Sequence, residues 1–556
     1  MLLHQNVIPA CRGSAPGPKC TCSCARAWKL DKRNVENIQR RFHIPSAWNK
    51  DVVVKTLGAL GASLTLHLFL DVDMIAKAQS FPEQTKKYEV VDMDVYQRLP
   101  PLPTNFPDLG PLPQAKFKKF KLKNRMRVIM VEDHEVPFVR GILSIKGGMR
   151  LNPVSNPALA TLSAAVQRAG GSKEHAEQDF DRELEKLSAA IEGGASSEAV
   201  TFGISSLKED SESVVGLLSE IIKSPSMPQS KLDFFKKNVA NSIIHKNDNP
   251  SAIPAREVSK LIYGKDSVYV VEPSVEQVLN TSVEDITEWA SLRELPENAV
   301  LGLVGDFNPK DMEAIVKSYF EDWESSGEEY RVPNPGIPNQ DAIQGKIFIV
   351  NQPGLDQSAV AVAEPGVAIM DPDEAELGVL SGILNSFGGS LFDDIRSKRG
   401  LAYSVQAGWT SAPIDHPGLF MATAETDKPG QLLRSLRKVM EQATTTAPDL
   451  DSVLRAKEEV LNSFVFGFSS QQNLLRRAVI FDLFGIPDSY IYQYRDKIRK
   501  VDAEGVKAAA ARHVHPDKWV TVIIGDFAYP DRLTEITREL PDSIIESLQL
   551  DDYAPI

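Results

Sequence analysis

From Phe117 onward, apolar and polar positions fall into regular periods. The stretch "MRVIMVEDHEVPFVRGILSIKGG" (126–148) alternates with a period of two on either side of a polar break. It predicts two strands around a turn that holds His134. Helical periods follow in 157–169 and 176–190, and "GASSEAVTFGISSLKED" (194–210) reads as a further strand pair. Helices are expected at 211–223 and 229–246. Upstream, 79–116 contains "RLPPLPTNFPDLGPLPQ" and has neither period. It reads as an extended leader on the domain surface.

The pattern repeats. "LPENAVLGLVGDFNPKDMEAI" (Leu295–Ile315) matches "HPDKWVTVIIGDFAYPDRLTEI" (His515–Ile536), with Gly305-Asp306-Phe307 set 220 residues before Gly525-Asp526-Phe527. Asn241-Ser242 precedes Asn462-Ser463 by 221, as Tyr263-Gly264 precedes Phe484-Gly485. A near-constant offset means two copies of one unit. Strands interleaved with paired helices give the fold class α+β: two homologous halves, each an antiparallel-rich sheet with helices on one face, joined as a clamshell. The boundaries that follow are a targeting presequence at 1–78, the leader at 79–116, a first half at 117–324, a Pro/Gly linker at 325–345, a second half at 346–540 and a tail at 541–556.

Charge changes this picture at the N-terminus. The chain carries a net −13 over 556 residues, which argues against nucleic acid as a partner. Residues 1–55 hold ten Lys/Arg against three Asp/Glu. Basic sequence is followed by the apolar run "TLGALGASLTLHLFL" (56–70), then by Ala76 and Ala78 in an A-x-A arrangement. The run is short for a membrane span, which needs about 20 apolar residues, and has the length of a signal segment. Such a tandem resembles the bipartite targeting of thylakoid-lumen proteins, so a chloroplast location is expected. The stroma, the mitochondrial matrix and an uncleaved membrane anchor stand as alternatives. All four cysteines (Cys11, Cys20, Cys22, Cys24) lie in this segment, without the paired spacing and fourth ligand of a zinc site.

The duplicated half, the "LVGDF" and "IIGDF" strand ends and "NSFGGSLFDDIRSKRGLAYSV" (385–405) resemble the insulinase/pitrilysin-type zinc metallopeptidases. The similarity is greatest to a cyanobacterial-type subunit of the processing-peptidase subgroup. The resemblance implies a zinc motif H-x-x-E-H on a first-half helix, with two histidines at i and i+4 and a glutamate base between them. Aligned on "KGGMRLNP", its positions fall on Thr161, Ala164 and Ala165, none of which can hold zinc. The third ligand is expected near Asn241–Ser242, yet no Asp or Glu lies between Asp233 and Asp248. Elsewhere, the H-x-H pair His513 and His515 has only Asp517 close by in sequence. This chain is therefore expected to carry no metal or cofactor of its own.

The resemblance also implies an arginine and a tyrosine seven residues apart, here Arg396 and Tyr403. As donors, a guanidinium and a phenol suit a carbonyl that gains negative charge. Arg399, Gly388 and Gly389 take substrate-handling positions. On residue type alone, Arg396, Lys398 and Arg399 read as a solvated helix end and Tyr403 as a half-buried strand residue. The resemblance implies instead a chain inactive by itself that complements a zinc-bearing paralogous subunit, with an unfolded peptide bound as an added strand. The alternatives are a structural subunit and a peptide-binding pseudopeptidase.

Overall fold

The structure is a computed structural model that describes residues 116–410, 418–466, 470–528 and 530–550. The presequence, the leader up to residue 115, His416 and residues 551–556 lie outside the described residues.

The first half runs β1 (Lys118–Lys121), β2 (Arg127–Glu132), β3 (Phe138–Lys146), α1 (Leu159–Gly170), α2 (Glu177–Lys186), β4 (Ala190–Ala195), β5 (Ala199–Leu207), α3 (Ser211–Lys223), α4 (Gln229–Ile244), α5 (Ile253–Tyr263), α6 (Val275–Asn280), α7 (Val283–Arg293), β6 (Ala299–Gly305) and α8 (Pro309–Phe320). The second runs β7 (Ile347–Asn351), β8 (Ser358–Pro365), α9 (Glu374–Asn385), a π-helical turn (Phe392–Lys398), β9 (Val405–Thr410), β10 (Leu419–Thr426), α10 (Pro429–Thr445), α11 (Leu450–Phe466), α12 (Gln471–Phe484), α13 (Tyr490–Lys500), α14 (Ala503–His513), β11 (Val520–Gly525), α15 (Pro530–Glu539) and β12 (Ile545–Ser547). No helix among the described residues is long and apolar enough to cross a membrane.

The duplication is physical. The sheets have the orders β1-β2-β6-β3-β5-β4 and β12-β7-β11-β8-β10-β9. β2 pairs parallel with β6, as β7 does with β11. Asp133 N–H donates to Gly305 C=O and Gln352 N–H to Gly525 C=O, the same bond in each copy. One edge differs: β1 enters antiparallel from the N-terminal side, whereas β12, from the tail, joins β7 parallel.

The expected hairpin is absent. β6 lies between β2 and β3, and His134 sits beside Asp306 and Glu132, 2.5 and 2.8 Å away, rather than capping a turn. Residues 133–137 are a crossing between strands separated by a third, β6, which pairs parallel with β2 and antiparallel with β3. The helix expected to 190 stops at Lys186, and Ala190 already belongs to β4.

Helices cover one face of each sheet. On the first, Leu162 and Val166 of α1 and Val215 and Leu218 of α3 close over Leu143, Phe202 and Leu301. The opposite face is covered by exchange. From the second half, α12 places Leu475, Ala478 and Val479 on Ile129, Val131 and Val304 of the first sheet. From the first half, α5 places Ile253, Val258 and Ile262 on Ala361, Val522 and Ile524 of the second. These are the helices that end in the matching Phe484-Gly485 and Tyr263-Gly264. Gly302 sets how close α12 comes, since a Cβ there would lie 2.5 Å from Val479 Cγ2. Gly302→Val is expected to cost about 1–3 kcal/mol by overpacking, read as a lowered midpoint in urea unfolding.

Candidate functional site

The first-half helix is well made without its motif. α1 is rich in alanine, the best helix former, and ends on Gly171 at φ +70°. Ala164 is fully buried, while Thr161 and Ala165 are half-buried one turn apart. Thr161 Oγ1 lies 3.5 Å from Met149 Sδ. On α4, Asn241 and Ser242 are exposed, and Ser242 Oγ donates to Val239 C=O, so neither supplies a carboxylate. These side chains do not fit a zinc ion.

Two residues beyond Ala165, Gln167 is completely buried and donates through Nε2 to Glu294 Oε2 (2.8 Å) and Ile221 C=O (2.8 Å). Burial pushes the Glu294 carboxyl up to about 7, against the opposing hydrogen bond from Gln167. Glu294 Oε1 and Gln167 Oε1 are buried and have no hydrogen-bond partner. A carboxyl raised from 4.5 to about 7 in the fold favours the native state fully below pH 4.5, and that contribution is lost as pH rises through 7. The loss is about 3 kcal/mol. Glu294→Gln, which keeps the shape without the charge, is expected to flatten the dependence of unfolding free energy on pH between 5 and 8.

The second-half motif is built around a tight turn and a widened helix. Gly389 N–H donates to Ser386 C=O (2.6 Å) with Gly388 at φ +82°, a β-turn of type II geometry with Phe387 at its first corner. The π-helical turn then buries Ile395 and points Arg396 outward. Gly400, at φ +60°, turns the chain back so that Tyr403 returns to Arg396. The Arg396 guanidinium lies between two rings, 4.9 Å from the Phe392 centroid and 4.6 Å from that of Tyr403. Each such contact is worth about 0.5–1 kcal/mol at an exposed site. Tyr403 is 82% exposed and lies before β9, not within it as a half-buried strand residue.

The structure thus brings Arg396 and Tyr403 together. Arg399 is drawn aside, with Nε 2.9 Å from Asp394 Oδ2. Gly388 and Gly389 shape the turn: Gly388 supplies the positive φ, and a Cβ on Gly389 would lie 2.7–2.8 Å from three carbonyl oxygens. Thr161, Ala164 and Ala165 belong to the other half. Phe387, 92% exposed, takes no position in the motif that marks Arg396 and Tyr403. Its only signal was a large apolar residue at the tip of a Ser-x-Gly-Gly turn.

Both sheet edges beside these helices are capped at one rung. Arg168, at the end of α1, donates through Nε to Ile191 C=O of β4 while Nη1 pairs with Asp181 at 2.9 Å. Asn385, at the end of α9, bonds Ala407 of β9 from both sides of its amide, at 2.6 and 2.9 Å. An added strand meets open rungs only beyond these caps. The H-x-H pair is engaged in structural contacts. His513 Nε2 is 2.8 Å from Asp373 Oδ2, whose carboxylate Arg512 also holds, and His515 binds the buried Glu364. Asp371, Asp373 and His513 lie close enough to hold an ion, but Arg512 already neutralises the shared carboxylate.

The first half matches the family model described as "Insulinase (Peptidase family M16)" over residues 127–268. The second matches "Peptidase M16 inactive domain" over residues 280–460, and the two together span more than half of the chain. The chain belongs to the M16 peptidase family. It is an inactive-type M16 member. The Helicobacter pylori protein named "Non-peptidase homolog YmxG" is 21% identical over 409 residues, which cover 72% of this chain and 92% of that one. Mitochondrial cytochrome b-c1 complex subunit 1 of Bos taurus is 22% identical over 223 residues, 39% of this chain and 45% of that one. The crystal structure of a peptidase M16 inactive domain from Pseudomonas fluorescens shares the fold, with a TM-score of 0.64 at 22% identity, covering 74% of this chain and 97% of that one.

Proposed function

We propose that this M16 chain is the zinc-free subunit of a two-chain processing-type peptidase. A paralogous partner carries H-x-x-E-H, and this chain supplies Arg396 and Tyr403 to the bound peptide. The partner's zinc and glutamate would provide the polarised carbonyl and the activated water. In this chain, the Arg396 fork and the Tyr403 hydroxyl would donate to the scissile carbonyl or its neighbour as negative charge develops. One observation carries the reading. The Arg396 guanidinium carbon lies 4.9 and 4.6 Å from two ring centroids, and neither the guanidinium nor the Tyr403 hydroxyl makes a hydrogen bond to a described residue. Donors held in place and left unpaired suit a ligand better than they suit the fold. The N-terminal sequence alone motivates placing the pair in the chloroplast, in the thylakoid lumen.

A structural-subunit reading draws support from the similarity to cytochrome b-c1 complex subunit 1. One experiment separates the two. The chain is mixed with an H-x-x-E-H paralogue from the same genome, and cleavage of an unfolded peptide is followed. The peptidase reading expects cleavage by the mixture well above that of either chain alone. A mixture no faster than the paralogue alone would favour the structural subunit.

A further inference from the structure

We propose that Phe387 is the specificity anchor of this site, taking an aromatic or large aliphatic side chain of an extended peptide beside the donors of Arg396. The inference rests on the reading of the Arg396/Tyr403 face as peptide-binding and adds which peptide it prefers.

A phenylalanine at a surface turn ordinarily folds its ring onto apolar neighbours, because burying that ring is worth roughly 1.5–3 kcal/mol. Phe387 leaves 92% of its surface in solvent. The loop is not free to relax. Asn385 ties its entry to Ala407 at 2.6 and 2.9 Å. The turn closes on Gly389 N–H to Ser386 C=O, and the positive φ of Gly388 and the three carbonyls around Gly389 admit no side chain at either position. The exposed ring is therefore a product of a constrained turn.

The ring is also aligned with the rest of the site. Phe387 lies 4.8 Å from Phe392, Phe392 4.9 Å from Arg396, and Arg396 4.6 Å from Tyr403. These four side chains form one ladder whose two end rings, Phe387 and Tyr403, each face solvent. A peptide laid along it meets an apolar ring at one end and, in the middle, N–H donors that make no hydrogen bond to a described residue. That combination suits a large apolar side chain on Phe387 with a backbone carbonyl at Arg396. Exposed aromatics next to oriented polar groups are what protein interfaces use as anchors.

The test uses the full chain and fluorescein-labelled unstructured dodecapeptides that differ at one central position: Phe, Leu, Ala or Lys. Fluorescence anisotropy gives each Kd. The expected result is that the Phe and Leu peptides bind about tenfold or more tighter than the Ala peptide. Phe387→Ala should abolish that preference, so that the Phe, Leu and Ala peptides bind that variant alike, whereas Phe387→Trp should keep it. Phe387 is exposed and its one ring contact is with Phe392, so the Phe387→Ala variant should stay folded and lose at most about 0.5–1.5 kcal/mol of stability in thermal unfolding. A preference that survives in Phe387→Ala, or equal binding of all four peptides by the wild type, overturns the anchor while the peptide-binding face stands. If none of the four binds the wild type, the face and the anchor fall together.

Discussion

Ala164→Glu, at the position where the family resemblance places the general base, is expected to destabilise the protein by about 4 kcal/mol. Ala164 has no exposed surface and sits in the core formed by α1 with β3, β5 and α3. A carboxylate there would be desolvated, and the groups near it are apolar or, as with Gln167 and Glu294, already joined to each other. The extra atoms would also overpack an interior with little free space. Thr161→His and Ala165→His should cost much less, because both positions are half-buried and project to one side of the helix. Urea unfolding of the three single variants reads the contrast directly. Near-equal costs for all three would mean that α1 keeps room for the catalytic carboxylate.

The second large effect concerns Arg396. In the complex with a zinc-bearing partner, Arg396→Ala is expected to lower kcat by about 10²–10³-fold, the usual loss for one donor to a developing oxyanion. Tyr403→Phe should fall in the same range. Arg396→Lys should recover little, since an ammonium lacks the planar fork that the Phe392 and Tyr403 rings hold. The loss should appear in kcat more than in KM, because the interaction strengthens as charge develops. Size-exclusion chromatography should show assembly intact, as both side chains are exposed. Steady-state rates on one unfolded peptide decide the matter. A loss confined to KM would make these residues binders of the ground state only.

Much of the architecture was legible because duplication leaves a record in sequence: the Gly-Asp-Phe strand ends and the helices closing on Tyr263-Gly264 and Phe484-Gly485 mark equivalent elements. Two features were not. The separation of β2 from β3 depends on β6, and local alternation cannot report a strand inserted from 160 residues away. The exchange of α5 and α12 was hidden for a related reason. "QQNLLRRAVIFDLF" is apolar around most of its circumference, since Leu475 and Val479 face the first sheet while Leu474 and Phe481 face Ile486 and Tyr490. Such a pattern signals burial on two sides without naming the surfaces.

The site was legible to the extent that a motif fixes positions. Arg396 and Tyr403 were singled out by the family resemblance, not by residue type, and the structure adds what lies against them, the ring of Phe392 and the turn at Gly400. Arg399 could not be sorted from Arg396 by type. The difference is that Asp394 lies five residues before Arg399 and pairs with it. Glycines drew attention to 388–389, yet their work is to fix a backbone that exposes the residue before them.

The most direct test of the central claim is the metal content of the purified full chain, measured by plasma mass spectrometry together with its cleavage of an unfolded peptide, with and without chelator. The account predicts no stoichiometric zinc and no chelator-sensitive cleavage by the chain alone. One zinc per polypeptide, with proteolysis that chelation abolishes, would contradict it.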